Sequence, residues 1–424
     1  MAASVEPARR EAQAKGLPRN VWAVTLTSLF TDLANEMMIE LIPLYLTGVL
    51  GAQPSIVGVV EGIAETTASI LKVFAGWLSD RLGQRKWLTV LGYSLSTVSR
   101  PFLYFASSWT VVLAVRFSDR VGKGIRTAPR DALVADATPE EQRGRAFGFN
   151  RAGDRLGGFL GLGLAAAIVL LVQPGHAELM RRTFQTAALV GIVPGVLAVL
   201  VLVLGATDVP ITRVRERPAL SLKGFDRRFR ILLAIVVLFT LGNSADAFIV
   251  LRARERGLSV LGIMGMAMTY YLVSSLSSGR AGALSDRVGR RRLIVGGWLI
   301  YAAIYLGYAV AGAAWQVWVL YGLYGLYYGM TEGTARALVA DVVSEPEKRG
   351  TAYGIFNAAI GLAALPASVI AGILWSGLLG WSGFGPAAPF YFGACMALVA
   401  SVLMVTWLPR AKGLVAATQA ASRQ

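Results

Sequence analysis

The chain has 424 residues, 55% of them hydrophobic, with a formal net charge of +16, one cysteine and one histidine. Its mean hydropathy of +0.56 excludes an ordinary soluble domain. Single Cys395 and His176 exclude a disulfide framework and a thiolate or imidazole metal site; with no cofactor motif and no Ser/His/Asp set, no enzyme is expected.

Apolar stretches of about 20 residues, each long enough to cross a ~30 Å hydrocarbon core, recur from end to end. Twelve spans are predicted, at 21–46, 55–79, 86–107, 109–134, 144–172, 183–205, 230–251, 258–281, 292–312, 315–340, 350–379 and 387–408. Residues 1–20 carry Arg9, Arg10, Lys15 and Arg19 but no apolar run, and read as a tail.

Span 1 places Asp32, Glu36 and Glu40 at i, i+4 and i+8 on one helix face, with Asn35 beside them. Adjacent carboxylates in a low dielectric cannot all ionise cheaply. Asp32 and Glu36, near the midplane, are therefore expected to hold a proton; the alternative is that they only pair with arginines of span 4. Span 2 adds Glu65 near the midplane, a further proton site, and Glu61 toward the periplasmic mouth, where it reads as a hydrated vestibule face or a direct participant.

Span 2 ends in Gly76-Trp77-Leu78-Ser79-Asp80-Arg81-Leu82-Gly83-Gln84-Arg85-Lys86. Span 4 carries a basic stripe of Arg116, Arg120, Lys123 and Arg130 with Thr127, edged by Asp119 and Arg126. Such a stripe cannot face lipid. Arg120, near the midplane, is expected to pair with Asp32 or Glu36, or with a solute carboxylate or phosphate, and Lys123 to stand beside it. Arg126 and Arg130 are expected to snorkel at the cytoplasmic end. Asp136 closes the span.

Span 5 contains Gly153-Asp154-Arg155-Leu156-Gly157-Gly158. Asp154 is read as a proton site and Arg155 as a solute contact; the glycines suit close helix packing. Residues 206–229, rich in Arg with Pro210 and Pro218, form a linker. Span 7 has Asp246 after the polar break Gly242-Asn243-Ser244, a candidate solute contact. Arg252, Arg254 and Arg256 read as a solvated loop. Tyrosines of spans 8–10 are expected mostly to pack or to sit in the aromatic belt. Tyr324, Tyr327 and Tyr328 share a face that can line a cavity opposite the charged half, with Tyr324 as the solute contact.

The turn after span 2 recurs 206 residues later as Gly282-Ala283-Leu284-Ser285-Asp286-Arg287-Val288-Gly289-Arg290-Arg291-Arg292. Arg130–Asp136 resembles Arg336–Asp341, and Arg143-Gly144 matches Arg349-Gly350. The chain is thus two copies of one membrane unit, divided as tail 1–20, N-terminal half 21–205, linker 206–229, C-terminal half 230–408 and tail 409–424. About twenty-one ionisable groups fall inside spans; the C-terminal half holds only Arg280, Arg336, Asp246 and Glu332. One set of loops holds 25 of the 41 Lys and Arg, the other holds 5. That asymmetry predicts cytoplasmic termini and linker. The positive charge then reports topology, and no nucleic-acid partner is expected.

The duplicated Gly-x-Leu-Ser-Asp-Arg-x-Gly turn resembles the signature loop of the major facilitator superfamily. Arg120-Val121-Gly122-Lys123-Gly124 resembles that family's Arg-x-x-x-Gly motif in span 4, whose arginine serves proton handling in proton-coupled members. The resemblance implies an all-α membrane protein of twelve transmembrane helices in two pseudo-symmetric six-helix halves. It implies a secondary transporter working by alternating access: proton-coupled, monomeric, multi-pass in a bacterial inner membrane, with protons, a small polar or charged organic solute and lipid as partners. Export is favoured over uptake. Gly76, Asp80, Arg81, Gly83 and Arg85 with Asp136, and Gly282, Asp286, Arg287 and Gly289 with Asp341, are expected as gate elements. Drug/proton antiporters of the family carry Gly-Pro-x-x-Gly-Gly in span 5; here Asp154 replaces the proline and Arg155 follows, which argues for a charged path instead. Two other readings remain: a proton-coupled importer or exchanger of an organic anion, suggested by the span 4 arginines, and a non-transporting sensor or scaffold.

Overall fold

The computed structural model describes residues 16–208, 221–343, 345 and 348–408. Of residues 278–287, 332 and 336 it describes the backbone alone, so the expectations at Gly282, Asp286, Arg287, Arg280, Glu332 and Arg336 lie outside the described residues. The described chain is helical throughout, in twelve spans.

Span 1 is Arg19–Ile39, continued by Leu41–Leu44 and a π-helical turn Tyr45–Val49. Span 2 is Pro54–Leu82, started by a proline that suits the first helical position and stopped by Gly83 at φ 68°. Span 3 is Arg85–Ser99 with a 3₁₀ extension Arg100–Phe105; span 4 is Trp109–Asp136; span 5 is Arg143–Val172. Span 6 is Arg181–Val190 and Ile192–Gly205, and span 7 is Arg227–Gly242 and Ala247–Glu255. Spans 8 to 12 are Val260–Val288, Arg290–Val310, Ala314–Val342, Arg349–Ser376 and Ala388–Thr406.

Seven stretches among the described residues are apolar and long enough to cross a membrane; spans 1–4 and 10 are not among them. Spans 1, 2 and 4 carry their charge on interior faces, which lowers their mean hydropathy without exposing charge to lipid. The outer surface is apolar: Trp22, Leu91, Val98, Phe102, Leu171, Val193, Leu204, Val310 and Val402 are exposed, as a lipid-facing belt requires.

Glycines set the helix spacing inside the N-terminal half. A Cβ on Gly157 would stand 2.9 Å from Leu29 Cα, and one on Gly161 would stand 3.1 Å from Leu33 Cα, so span 5 lies directly on span 1. Spans 3 and 4 meet in the same way at Gly92 and Gly122.

One end of the bundle carries residues 16–18, residues 206–208 and the turns at Gly83 and Gly289; it is called here the tail end. The halves join at the other end. Span 2 packs on span 11 through Gly58 against Ser368, Gly62 against Leu365 and Gly372 against Ser55. Ser55 N–H donates to Ser376 Oγ (3.0 Å) and Thr66 Oγ1 to the Gly361 carbonyl (2.6 Å). Arg254 bridges to Glu178 (2.6 Å), and Val260 N–H donates to the Ala177 carbonyl (3.1 Å). These contacts run from the loops of that end to mid-depth.

Candidate functional site

Below this seal, between the halves, lies a cavity of about 370 Å³. Its two walls differ in chemistry. The N-terminal half contributes Glu36, Glu40, Glu61, Glu65, Arg120 and Lys123. The C-terminal half contributes Asn243, Ser244 and Asp246 of span 7 and Tyr270, Tyr271, Tyr321, Tyr324 and Tyr328 of spans 8 and 10. One wall is ionic and the other phenolic.

The ionic wall is largely paired with itself. Arg116 bonds to Glu61, and both are buried. Arg120 Nη2 lies 3.5 Å from Glu65 Oε1. Span 4 packs on span 2 at Gly124, where a Cβ would stand 2.6 Å from Leu71 Cβ. That packing turns Arg120 toward Glu65 and not toward Asp32 or Glu36, correcting the expected pairing. Glu61, on the cavity wall, is a buried ion-pair partner.

Arg100 binds Asp119 (3.2 Å) and Asn35 (3.3 Å), which holds Asn35 behind the cavity wall and not on it. Arg126, expected to snorkel, is instead buried. It donates to Ser96 Oγ (2.5 Å) and its guanidinium lies 4.5 Å from the Tyr93 ring centroid. The close approach of spans 3 and 4 at Gly92 leaves no path to the surface. Arg130 pairs with Asp131 (2.9 Å) and donates to Ser28 (3.1 Å).

Asp32 lies outside the cavity lining, in the field of Asp154, Glu36, Arg126 and Arg130. Arg155 and Asp154 are also absent from the lining. Glu36 does line the cavity, beside Tyr271 of the other half, and both side chains converge on Gly158. The structure thus brings Glu36, Glu65, Arg120, Lys123, Asp246 and Tyr324 together, and leaves Asp32, Asn35, Asp154 and Arg155 one layer back.

Span 7 breaks where its sequence is polar. Residues 243–245 are not helical, and their backbone is met by side chains: Tyr301 donates to the Gly242 carbonyl (3.1 Å), and Ala245 N–H donates to Ser368 Oγ (3.3 Å). The break turns Asp246 into the cavity, where the Tyr324 hydroxyl donates to it at 3.0 Å. Tyr327 shares a helix face with these residues but lines a separate cavity of about 290 Å³ inside the C-terminal half.

Sequence reasoning missed three features of the site. Glu40 was one member of a stripe; here it is 8% exposed and lines the cavity. Tyr270, Tyr271 and Tyr321 join Tyr324 and Tyr328 in a wall instead of merely packing; Tyr270 stacks on Tyr321 and Tyr321 on Tyr324, with ring centroids 5.1 Å and 5.9 Å apart. Tyrosine clustering in spans 8 and 10 was the available signal. Arg252, expected in a solvated loop, is 1% exposed. It donates to the carbonyls of Tyr308 (2.9 Å) and Ala309 (2.8 Å) and pairs with Glu255 (2.6 Å). Carbonyls at the end of span 9 need donors, and a guanidinium supplies several at once.

At the tail end the two turns share a left-handed glycine, Gly83 at φ 68° and Gly289 at φ 95°. Arg85 sits between Asp80 (2.9 Å) and Asp136 (2.7 Å). In the second turn Arg290 pairs with Asp341, one residue earlier than the strict 206-residue register places it. Gly76 lets span 2 approach Ala128 of span 4, and Arg81 is exposed over the Trp77 ring at 5.5 Å.

The Major Facilitator Superfamily model matches residues 24–365 and 231–422. An MFS-type transporter of Methanocaldococcus jannaschii is 31% identical over 404 residues, covering 92% of this chain and 95% of that protein. The quinolone resistance protein NorA of Staphylococcus aureus is 25% identical over 166 residues, 39% of this chain and 40% of its own length. Among solved structures, a POT family transporter in complex with 5-aminolevulinic acid superposes with a TM-score of 0.77 at 12% identity, covering 94% of this chain and 98% of that one. The nucleoside transporter NupG superposes with a TM-score of 0.70 at 13% identity, covering 91% and 98%. A sequence match across nearly the whole chain, on two six-helix halves with a polar cavity between them, has one meaning: this chain belongs to the major facilitator superfamily of membrane transporters.

Proposed function

We propose that the chain is a proton-coupled secondary transporter that moves a small polar or charged organic solute by alternating access. The observation that carries this reading is the cavity between the halves, where ionisable groups of spans 1, 2, 4 and 7 face one another at mid-depth. Ionisable groups in a membrane are costly unless paired or hydrated, and those gathered around an internal cavity mark a solute or proton path. Glu36 and Glu65, with Asp32 and Asp154 behind them, act as the proton relay. Arg120, Lys123, Asp246 and Tyr324 meet the solute; Asn35 and Arg155 support them from the second layer.

On this reading the tail end is cytoplasmic, the membrane is the bacterial inner membrane, and the chain works as a monomer. The halves are sealed at the far end, so the conformation is inward-facing. The duplicated turns act as gates: Arg85 with Asp80 and Asp136, and Arg290 with Asp341, hold span ends that slide when the tail end closes. Export is the proposed direction, in keeping with the resistance protein among the relatives. Anion uptake rested on the basic surplus of span 4. Glu61, Glu65 and Asp131 pair with Arg116, Arg120 and Arg130 and absorb most of that surplus, which favours a solute that is not simply an anion.

A panel of organic cations, anions and neutral polar solutes tests the reading in liposomes. At least one compound is expected to accumulate against its gradient when a pH gradient is imposed, and to lose that accumulation with a protonophore. Transport indifferent to the pH gradient for every compound that moves would sink the coupling. A compound at 100 times its Kd adds about 2.7 kcal/mol to stability, which makes thermal screening a practical first step. Orientation is read separately: Lys223→Cys in a Cys395→Ala background should react only with reagent on the cytoplasmic side. Arg85→Gln should alter the accessibility of cysteines at the two mouths; unchanged accessibility would reduce that turn to a topological anchor.

A further inference from the structure

Glu40 and Asp246 are 206 residues apart, the spacing that relates the duplicated turns. Both stand at helix breaks. Glu40 ends the helix Arg19–Ile39 before Leu41–Leu44, and Asp246 precedes the helix Ala247–Glu255. The two are therefore the same position of the repeat, one from each half, and both line the central cavity.

Glu40 is 8% exposed, and its charged neighbours are Glu36, Glu61 and Asp246, all acids. Among the described residues no basic side chain pairs with it. Of the basic groups nearby, Arg116 is paired with Glu61 and Arg120 with Glu65, and Lys123, on the cavity wall, is not among the charged groups acting on Glu40. Asp246 accepts one hydrogen bond, from Tyr324, and is otherwise open to the cavity. Beside both acids stands the stacked wall of Tyr270, Tyr321 and Tyr324, with Tyr321 in the field of Glu40 and Asp246 together. A buried carboxylate without a cation is expensive. Two of them beside aromatic faces make a place where an ammonium is stabilised by both charge and ring quadrupoles.

Building on the transport reading, we propose that Glu40 and Asp246 form a two-carboxylate subsite for the ammonium head of an amine-bearing solute, with Tyr321 and Tyr324 as its aromatic wall. The two halves contribute one acid each. Occupancy thus bridges the halves at the level where they must rock, so the solute's charge is held from both sides.

The test uses the full chain purified in detergent and three probes that share a phenol and a two-carbon arm: tyramine, tyrosol and 4-hydroxyphenylacetate. They differ in the head group, which is an ammonium, a hydroxyl and a carboxylate respectively. Binding is read by thermal unfolding through tryptophan fluorescence, at one pH and with no gradient. Tyramine alone is expected to raise the unfolding temperature in a saturable manner. Glu40→Gln and Asp246→Asn should each weaken tyramine by about tenfold or more, as loss of a charged hydrogen-bond partner predicts, whereas Glu40→Asp should retain part of the affinity. If Glu40→Gln does not fold, Asp246→Asn probes the same subsite from the other half. Should both fail to fold, the order of the three probes on the unaltered chain decides.

Equal or stronger stabilisation by tyrosol or 4-hydroxyphenylacetate overturns the proposal. So does the absence of stabilisation by all three, or tyramine binding unchanged in both variants. Liposome flux separates this from the coupling reading. A chain that binds tyramine selectively but moves it without regard to the pH gradient loses the coupling and keeps the subsite. One that couples other solutes to protons and ignores tyramine does the reverse.

Discussion

Arg116→Met is expected to cost the folded protein about 3–5 kcal/mol, because it strands Glu61 as a lone buried charge. Arg116 is 3% exposed and Glu61 7%, and each is the other's ion-pair partner. Inserting an ionised side chain at mid-membrane costs about 2.5–3.5 kcal/mol on insertion scales. The pair offsets much of that cost; a single partner does not. The double variant Glu61→Gln/Arg116→Met removes both charges and should recover most of the loss, since buried ion pairs replaced by neutral groups are often near-neutral in stability. Thermal unfolding in detergent would place the single variant below the double one. A single variant as stable as the parent, or a double variant worse than both single variants together, would show that the pair is not what holds spans 2 and 4 in register.

The second large effect is on coupling. Asp32→Asn with Glu36→Gln is expected to abolish proton-driven accumulation while sparing downhill exchange. Glu36 faces the cavity beside Tyr271 of the other half, and Asp32 lies one turn behind it in the field of Arg126 and Arg130. A proton on this pair is therefore exposed to both the solute space and the contact between halves. One pH unit stores about 1.4 kcal/mol per proton, enough for a tenfold solute gradient in a one-for-one exchange. In proteoliposomes under a one-unit gradient, the double variant should show no accumulation where the parent approaches that ratio. Arg120→Lys should restore activity only in part, because an ammonium lacks the planar fork that reaches Glu65. If the double variant still follows the gradient as the parent does, the proton passes through Glu65 or Asp154 instead.

The backbone course was legible in the sequence for a plain reason. In a bilayer every backbone polar group must be satisfied internally, so a run of about 20 apolar residues has only one regular solution. The twelve spans, the polar break after Gly242 and the glycines of span 5 all followed from local composition. The 206-residue repeat, visible in one charged turn, was enough to pair the halves; that its glycines Gly83 and Gly289 take positive φ was seen only in the structure.

Side-chain partners were not legible. Helical periodicity tells which face a charge shares, but not which neighbouring helix that face meets. Arg120 answers to Glu65 because Gly124 draws span 4 onto span 2. Arg126 is interior because Gly92 and Gly122 leave no gap between spans 3 and 4. Arg252, adjacent to a loop, reads as solvated from its position in sequence, yet it folds back on the carbonyls of Tyr308 and Ala309. Sequence alone fixed the class of protein and the course of its backbone, because lipid imposes those on each segment separately. Which charges neutralise one another, and which acids are left facing the cavity, depended on helix contacts between segments far apart in the chain, and these exist only once the halves have packed.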